Sequence, residues 1–176
     1  MTRQVSGDKY RANPAIPFIF VHGSDSFTVN TTPTKIDFDH CHQKTDNFHF
    51  IDGTSRMTLM RGMDSKGVYM VYAQAGATPL QGAPLKLTLE IYKNGTVCEC
   101  GAGHGGIGAG KVHSDATVIT ALYLEKGDYV EAFVHVDAGA AALEDDVIRC
   151  IISAISMNGW NNNSQGTIRY RGGVNR

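Results

Sequence analysis

The chain has 176 residues, a formal net charge of −1 at neutral pH and 42% hydrophobic residues, which fits one domain with a core that needs no metal or disulfide staple. So neutral a balance offers no basis for a nucleic-acid groove or an anionic membrane as partner, and neither is expected. No apolar run approaches the roughly 20 residues that span a bilayer, and Met1 to Asp8 lack the apolar core of a secretory signal, so synthesis in a host cytoplasm is expected.

Residues 1–17 carry Arg3, Lys9, Tyr10 and Arg11 with Pro14 and Pro17, and read as an N-terminal arm that cannot bury enough surface to fold alone. From there the dominant periodicity is two. Short runs of alternating apolar and polar residues are separated by Gly, Pro, Asn and Asp, the pattern of an antiparallel sandwich or barrel. Strands are expected at 17–22, 26–29, 34–39, 47–51, 56–60 and 67–74. Between two of them, His40-Cys-His42 puts two imidazoles on one side of an extended segment, with Asp37, Asp39 and His49 close in sequence. Lacking a third ligand at a fixed spacing, the pair reads as solvated or core-edge histidines, and no metal or other cofactor is expected.

Leu85, Leu87, Leu89 and Ile91 point one way and Lys86, Thr88 and Glu90 the other, so 85–92 is a strand with one wet face. Asn94-Gly95 supplies the positive φ values of a type I′ turn, and the chain returns through Val97 to Cys100. The tract Gly101-Ala-Gly-His-Gly-Gly-Ile-Gly-Ala-Gly-Lys111 mimics both a dinucleotide fingerprint and a phosphate loop. Context removes both: Val112 stands where magnesium binding needs Ser or Thr, and no helix follows to receive a phosphate at its N-terminus. The tract is expected to be a long flexible connection whose missing side chains let another backbone come close. Further strands are expected at 117–124, 128–136 and 147–157, with loops at 101–116 and 137–146; Asp145-Asp146 reads as an acidic loop. The cysteines Cys41, Cys98, Cys100 and Cys150 are expected to be reduced, with the last three filling core. No hydrolase signature such as Gly-x-Ser-x-Gly occurs, and no catalytic residue is expected. Residues 158–176, with Arg169, Tyr170, Arg171 and Arg176 and no acid among the last sixteen, form a C-terminal arm. The fold class is therefore all-β, a two-sheet antiparallel jelly-roll sandwich over 18–157 with an extended arm at each end.

The order and spacing of several segments resemble the tumour necrosis factor superfamily, and in particular the globular head of complement component one q. Lys35-Ile-Asp-Phe-Asp39 resembles the early strand of that fold, Gly67-Val-Tyr69 its Gly-x-Tyr strand start, and Leu89-Glu-Ile-Tyr-Lys-Asn-Gly95 its hairpin. Leu124-Glu-Lys-Gly-Asp128 with the following Tyr129 to Val134 resembles its penultimate strand, and 147–157 its closing strand. The resemblance implies a homotrimer with aromatic residues of the penultimate strand at the three-fold axis. On that strand Tyr129, Glu131, Phe133 and His135 share one face and Val130, Ala132, Val134 and Val136 the other. The valines suit a core. Tyr129 and Phe133 in water would forgo about 1.5–3 kcal/mol each, so Tyr129, Glu131, Phe133 and His135 are the expected trimer interface.

These features lead to a non-enzymatic trimeric module. Its leading expected role is structural, a decoration (cement) protein or spike head of a phage virion, held on a viral capsid or tail shell by Arg3, Lys9, Tyr10, Arg11, Arg169, Tyr170, Arg171 and Arg176. The alternative is a recognition head of a bacterial or phage adhesin that binds a carbohydrate or protein receptor.

Overall fold

In the computed structural model, the described residues are 18–23, 27–51, 54–60, 66–80, 85–107, 114–143 and 150–157. Among them thirteen strands follow one another: β1 (Phe18–His22), β2 (Thr28–Val29), β3 (Thr34–Lys35), β4 (His40–Lys44), β5 (Phe48–Phe50), β6 (Met57–Leu59), β7 (Gly67–Pro79), β8 (Leu85–Lys93), β9 (Thr96–Ile107), β10 (Ser114–Leu124), β11 (Tyr129–Val136), β12 (Ala141–Leu143) and β13 (Cys150–Ser156). They form two sheets in which every pairing is antiparallel. The first sheet runs β2-β12-β7-β13-β1-β4, with β10 on β7; the second runs β5-β6-β11-β8-β9, with β3 on β11.

Alternation explains the core. Tyr69, Val71, Ala73, Ala75 and Ala77 from β7 meet Leu87, Leu89 and Ile91 from β8 and Val130, Ala132, Val134 and Val136 from β11, all fully buried. Phe48 closes edge-on against Tyr69 at 5.5 Å between ring centroids, a geometry that suits aromatic quadrupoles. Burial pushes the Tyr69 hydroxyl pKa up, while a hydrogen bond with Ser156 works against that rise.

The expected hairpin is present: Asn94 has φ 53° and Gly95 φ 77°, as a type I′ turn demands. This turn is tied to the one before β11. Asn94 Nδ2 donates to Asp128 at 2.7 Å, the Asn94 carbonyl oxygen of the side chain accepts from Tyr129 N at 3.0 Å, and Lys93 Nζ lies 2.8 Å from Asp128, which also accepts from Glu125 N at 2.9 Å. Burial alone would raise the Asp128 pKa, but the hydrogen bonds from Lys93, Asn94 and Glu125 and the Lys93 charge outweigh it, and the carboxyl sits below its usual value. A depressed carboxyl stabilises the fold above its unfolded pKa, about 4, and that contribution is lost as pH falls through the folded value. Asp128→Ala is therefore expected to cost about 1–2 kcal/mol at pH 7, and the gap to the parent chain should shrink at pH 3. Urea unfolding at the two pH values checks this; an equal gap at both would refute it.

Three expectations need correction. The glycine tract is not a loop throughout: β9 continues to Ile107, paired with β8 up to Leu85↔Ile107. The reason is Gly103, whose absent Cβ leaves room for the Thr117 carbonyl of β10, so the strand persists where side chains give no alternation to read. Likewise β12 lies within the segment expected to be a loop at 137–146, whereas the histidine segment, read as extended, is the paired strand β4. Cys100 is exposed rather than in the core, because the register between β8 and β9 shifts between Glu90 and Tyr92 and residues 98–101 bulge out of the ladder. Cys41, Cys98 and Cys100 are free thiols; burial pushes the Cys98 pKa up against the opposing influence of Lys93. The Cys150 side chain and Asp145-Asp146 lie outside the described residues.

Candidate functional site: the two outer sheet faces

Each sheet has an outer face, and the two differ in chemistry. On the second sheet the row Tyr129, Glu131, Phe133 and His135 points outward, while its valine and alanine neighbours are buried. Every member of the row has company from its own chain. The β3–β11 and β6–β11 pairings bring Lys35 and Arg56 beside Glu131. Its carboxylate, only 4% exposed, accepts from Arg56 Nε at 3.0 Å and lies 3.6 Å from Lys35 Nζ, which itself donates to the Thr54 carbonyl at 2.9 Å. The Arg56 guanidinium also covers the Tyr129 ring at 4.3 Å. Arg56 is aimed by its neighbour Ser55, a buried residue at φ 53° whose hydroxyl donates to Asp37 and accepts from Phe38 N at 3.0 Å.

Phe133 stacks on Tyr92 with centroids 4.0 Å apart. The Tyr92 hydroxyl donates to Glu90 at 3.4 Å, and burial, followed by the charge and hydrogen bond of Glu90, pushes its pKa up. His135 Nδ1 is 3.8 Å from Glu90 and buried without a hydrogen-bond partner among the described residues. The row is thus a self-contained network in which ion pairs and ring contacts from β3, β6 and β8 shield the two aromatics.

The first sheet presents a different surface. Val68, Met70 and Tyr72 of β7 point outward beside Ile119, Ala121 and Tyr123 of β10, and Ile155 of β13 lies on the opposite flank. Register makes them contiguous: Tyr123 pairs with Val68; Ala121 and Ile155 both pair with Met70, and Ile155 with Phe18; Ile119 pairs with Tyr72. Met157 donates its N–H to the Val68 carbonyl and extends the patch. Ile119 is 61% exposed, Tyr123 50%, and Val68, Met70 and Ile155 41% each. A connected apolar surface of this kind on a water-facing sheet is a candidate interaction site. Sequence reasoning missed it, although the signal was there: the outward positions from 68 to 74 and from 117 to 123 hold no charge, in contrast to Lys86 and Glu90 on the wet face of β8.

Residues Arg3, Lys9, Tyr10, Arg11, Arg169, Tyr170, Arg171 and Arg176 lie outside the described residues.

The strand order and the two-sheet packing define a tumour necrosis factor-like jelly roll, and comparison with solved structures supports the assignment. The chain is similar to murine APRIL in a crystal structure at pH 5.0 (TM-score 0.60, 8% identity, 81% of this chain and 99% of that one). It is similar also to the Eiger TNF of S. frugiperda (TM-score 0.58, 14% identity, 81% and 92%) and to the globular domain of zebrafish complement 1qA (TM-score 0.50, 15% identity, 80% and 97%). No protein-family model and no curated protein sequence matches the chain. At these identities the likeness is one of fold, and at that level the resemblance read from the sequence is borne out.

Proposed function

We propose that this chain is a non-enzymatic binding module that self-associates as a homotrimer through the outer face of its first sheet. The observation that carries the reading is the contiguous apolar ladder on β10, β7 and β13, crowned by Ile119 at 61% exposure. Each large apolar side chain withdrawn from water on that face contributes about 1.5–3 kcal/mol, repeated in every copy. The number three rests on the resemblance to the tumour necrosis factor fold, in which copies meet about a three-fold axis. The row on β11 is the second place where copies could meet, and its in-chain partners make it the less needy face.

Sedimentation at micromolar concentration should give about three times the 19.0 kDa chain mass. Ile119→Arg is expected to shift the assembly to single chains without unfolding them, since it buries a charge at an apolar contact and the side chain is exposed within one copy. Phe133→Ala should leave the assembly mass unchanged. The reverse pattern, with dissociation by Phe133→Ala alone, would return the interface to the β11 row, and a single-chain mass for the parent would remove the proposal.

For what the trimer engages, we assign a protein shell of a virus particle, gripped by the two basic arms. The support is compositional: Arg169, Arg171 and Arg176 face no acid among the last sixteen residues, and Arg3, Lys9 and Arg11 meet Asp8 alone among the first fourteen. Single exposed ion pairs contribute only about 0–1 kcal/mol, but three tethered copies raise avidity by roughly 10²–10⁴. Removing 1–14 or 161–176 should abolish binding to empty shells while the trimer mass, corrected for the deletion, persists. Undiminished docking, or binding to glycans instead, would favour the receptor-recognition reading.

A further inference from the structure

Three imidazoles stand together at the rim of the first sheet, on the same outward face of β1 as Phe18, which pairs with Ile155. His22 ends β1 and pairs in register with His40 of β4, their ring centroids 5.0 Å apart. The His42 ring is 6.4 Å from that of His22 and edge-on to Phe20 at 5.6 Å. A bulge puts it there: Val21 pairs with Cys41 but Phe20 with Gln43, so His42 is the extra residue of β4. Sequence spacing showed two of the three residues and lacked the third, which the strand pairing supplies.

Nitrogen donors this close on a strand ribbon suit a metal ion. His22 Nδ1 is buried and has no hydrogen-bond partner among the described residues, leaving a polar atom whose need none of them meets. Asp39 Oδ2 lies 3.8 Å from His40 Nε2, where a carboxylate can orient a ligating ring. As the side chains stand, no three His, Cys, Asp or Glu groups among the described residues are arranged to hold an ion. Closing the set takes rotation of His40 and His42, both exposed, and exposed rotamers exchange freely.

We propose that His22, His40 and His42 bind a late first-row divalent cation of the zinc, nickel or copper type, for which imidazole is a fitting ligand. His22 and His40 form the cross-strand pair, His42 adds the third nitrogen, and water completes the coordination. The ion clamps the rim strand β4 onto β1, so it binds the native chain and raises its melting temperature.

The test is calorimetric titration of the full chain with zinc chloride and nickel chloride, alongside imidazole NMR and thermal melts. Expected are one ion per chain, shifts confined to the His22, His40 and His42 rings, and a raised melting temperature. His40→Asn should weaken binding about tenfold or more, because each ligand held on the same ribbon acts at high effective concentration. His22→Asn should do the same, and His49→Asn and His104→Asn should change nothing. His40 is exposed, so its variant stays interpretable even if His22→Asn fails to fold. Absence of saturable binding up to about 1 mM ion, or affinity unchanged in His40→Asn, would overturn the proposal.

Discussion

Gly103→Ala is expected to destabilise the fold by about 3 kcal/mol or more, at the upper end of what overpacking does, although it adds a single methyl group. A Cβ at position 103 would lie 1.9 Å from the Thr117 carbonyl oxygen, 2.6 Å from its carbon and 3.1 Å from Val118 N. All three obstacles are backbone atoms, so no rotamer change can clear them. β10 is held in register on β7 from Ser114↔Ala77 to Leu124↔Gly67, and β9 on β8, so neither strand can retreat without breaking a ladder. For a domain of this size the melting temperature should fall by roughly 6–12 °C, read at fixed protein concentration. Gly106→Ala is the matched control: its Cβ would meet nothing within 4 Å, and a change of no more than about 0.5 kcal/mol is expected. Similar melting temperatures for the two variants would show that β9 and β10 do not approach as described.

Removing both cations around Glu131 has the second large effect. In Lys35→Met/Arg56→Met the Glu131 carboxylate, 4% exposed, loses its two positive neighbours and the hydrogen bond from Arg56 Nε. A buried charge without compensation costs about 3–5 kcal/mol. The lower end is expected here, because water can reach the site from the solvent-facing side once the two chains are shortened. Adding Glu131→Leu should return stability to within about 1 kcal/mol of the parent, since pair and partner together trade desolvation against attraction. Urea unfolding of the parent, double and triple variants checks it. A double variant as stable as the parent would mean that Glu131 is already well solvated, and a triple variant no better than the double would mean that packing, not charge, was lost.

Much of the architecture could be read from alternation because most strands here have one wet and one dry face. The 85–97 part of the hairpin was legible, with leucines every second residue and then Asn94-Gly95 at the turn, whereas the bulge at 98–101 that exposes Cys100 was not. The valines of β11 were legible for the same reason. What alternation cannot report is position 103, where side chains are absent by necessity and a strand looks like a linker. Nor can it report an insertion such as His42, whose place depends on the partner strand. The candidate site shows a further limit. Tyr129 and Phe133 drew attention as apolar residues on an outward row, yet their cover comes from Tyr92 and Arg56, distant in sequence. Ile119 and Met70 were overlooked, since uncharged outward positions register only when three strands are laid side by side.

The close approach of β9 and β10 also bears on which borders of the sheets are open to an incoming strand. It sets one border of each sheet against the other, so an incoming strand finds no vacant ladder there. Among the described residues the borders that remain are β4, whose His40, His42, Gln43 and Lys44 side chains are all exposed, and the short β2, β3 and β5, of two, two and three residues. Short or polar borders are poor templates for fibre growth. A head-to-tail contact makes a finite ring when its rotation closes and an open filament when it does not, so borders that template poorly leave the closed assembly proposed for the outer face of the first sheet without a competing route by edge pairing.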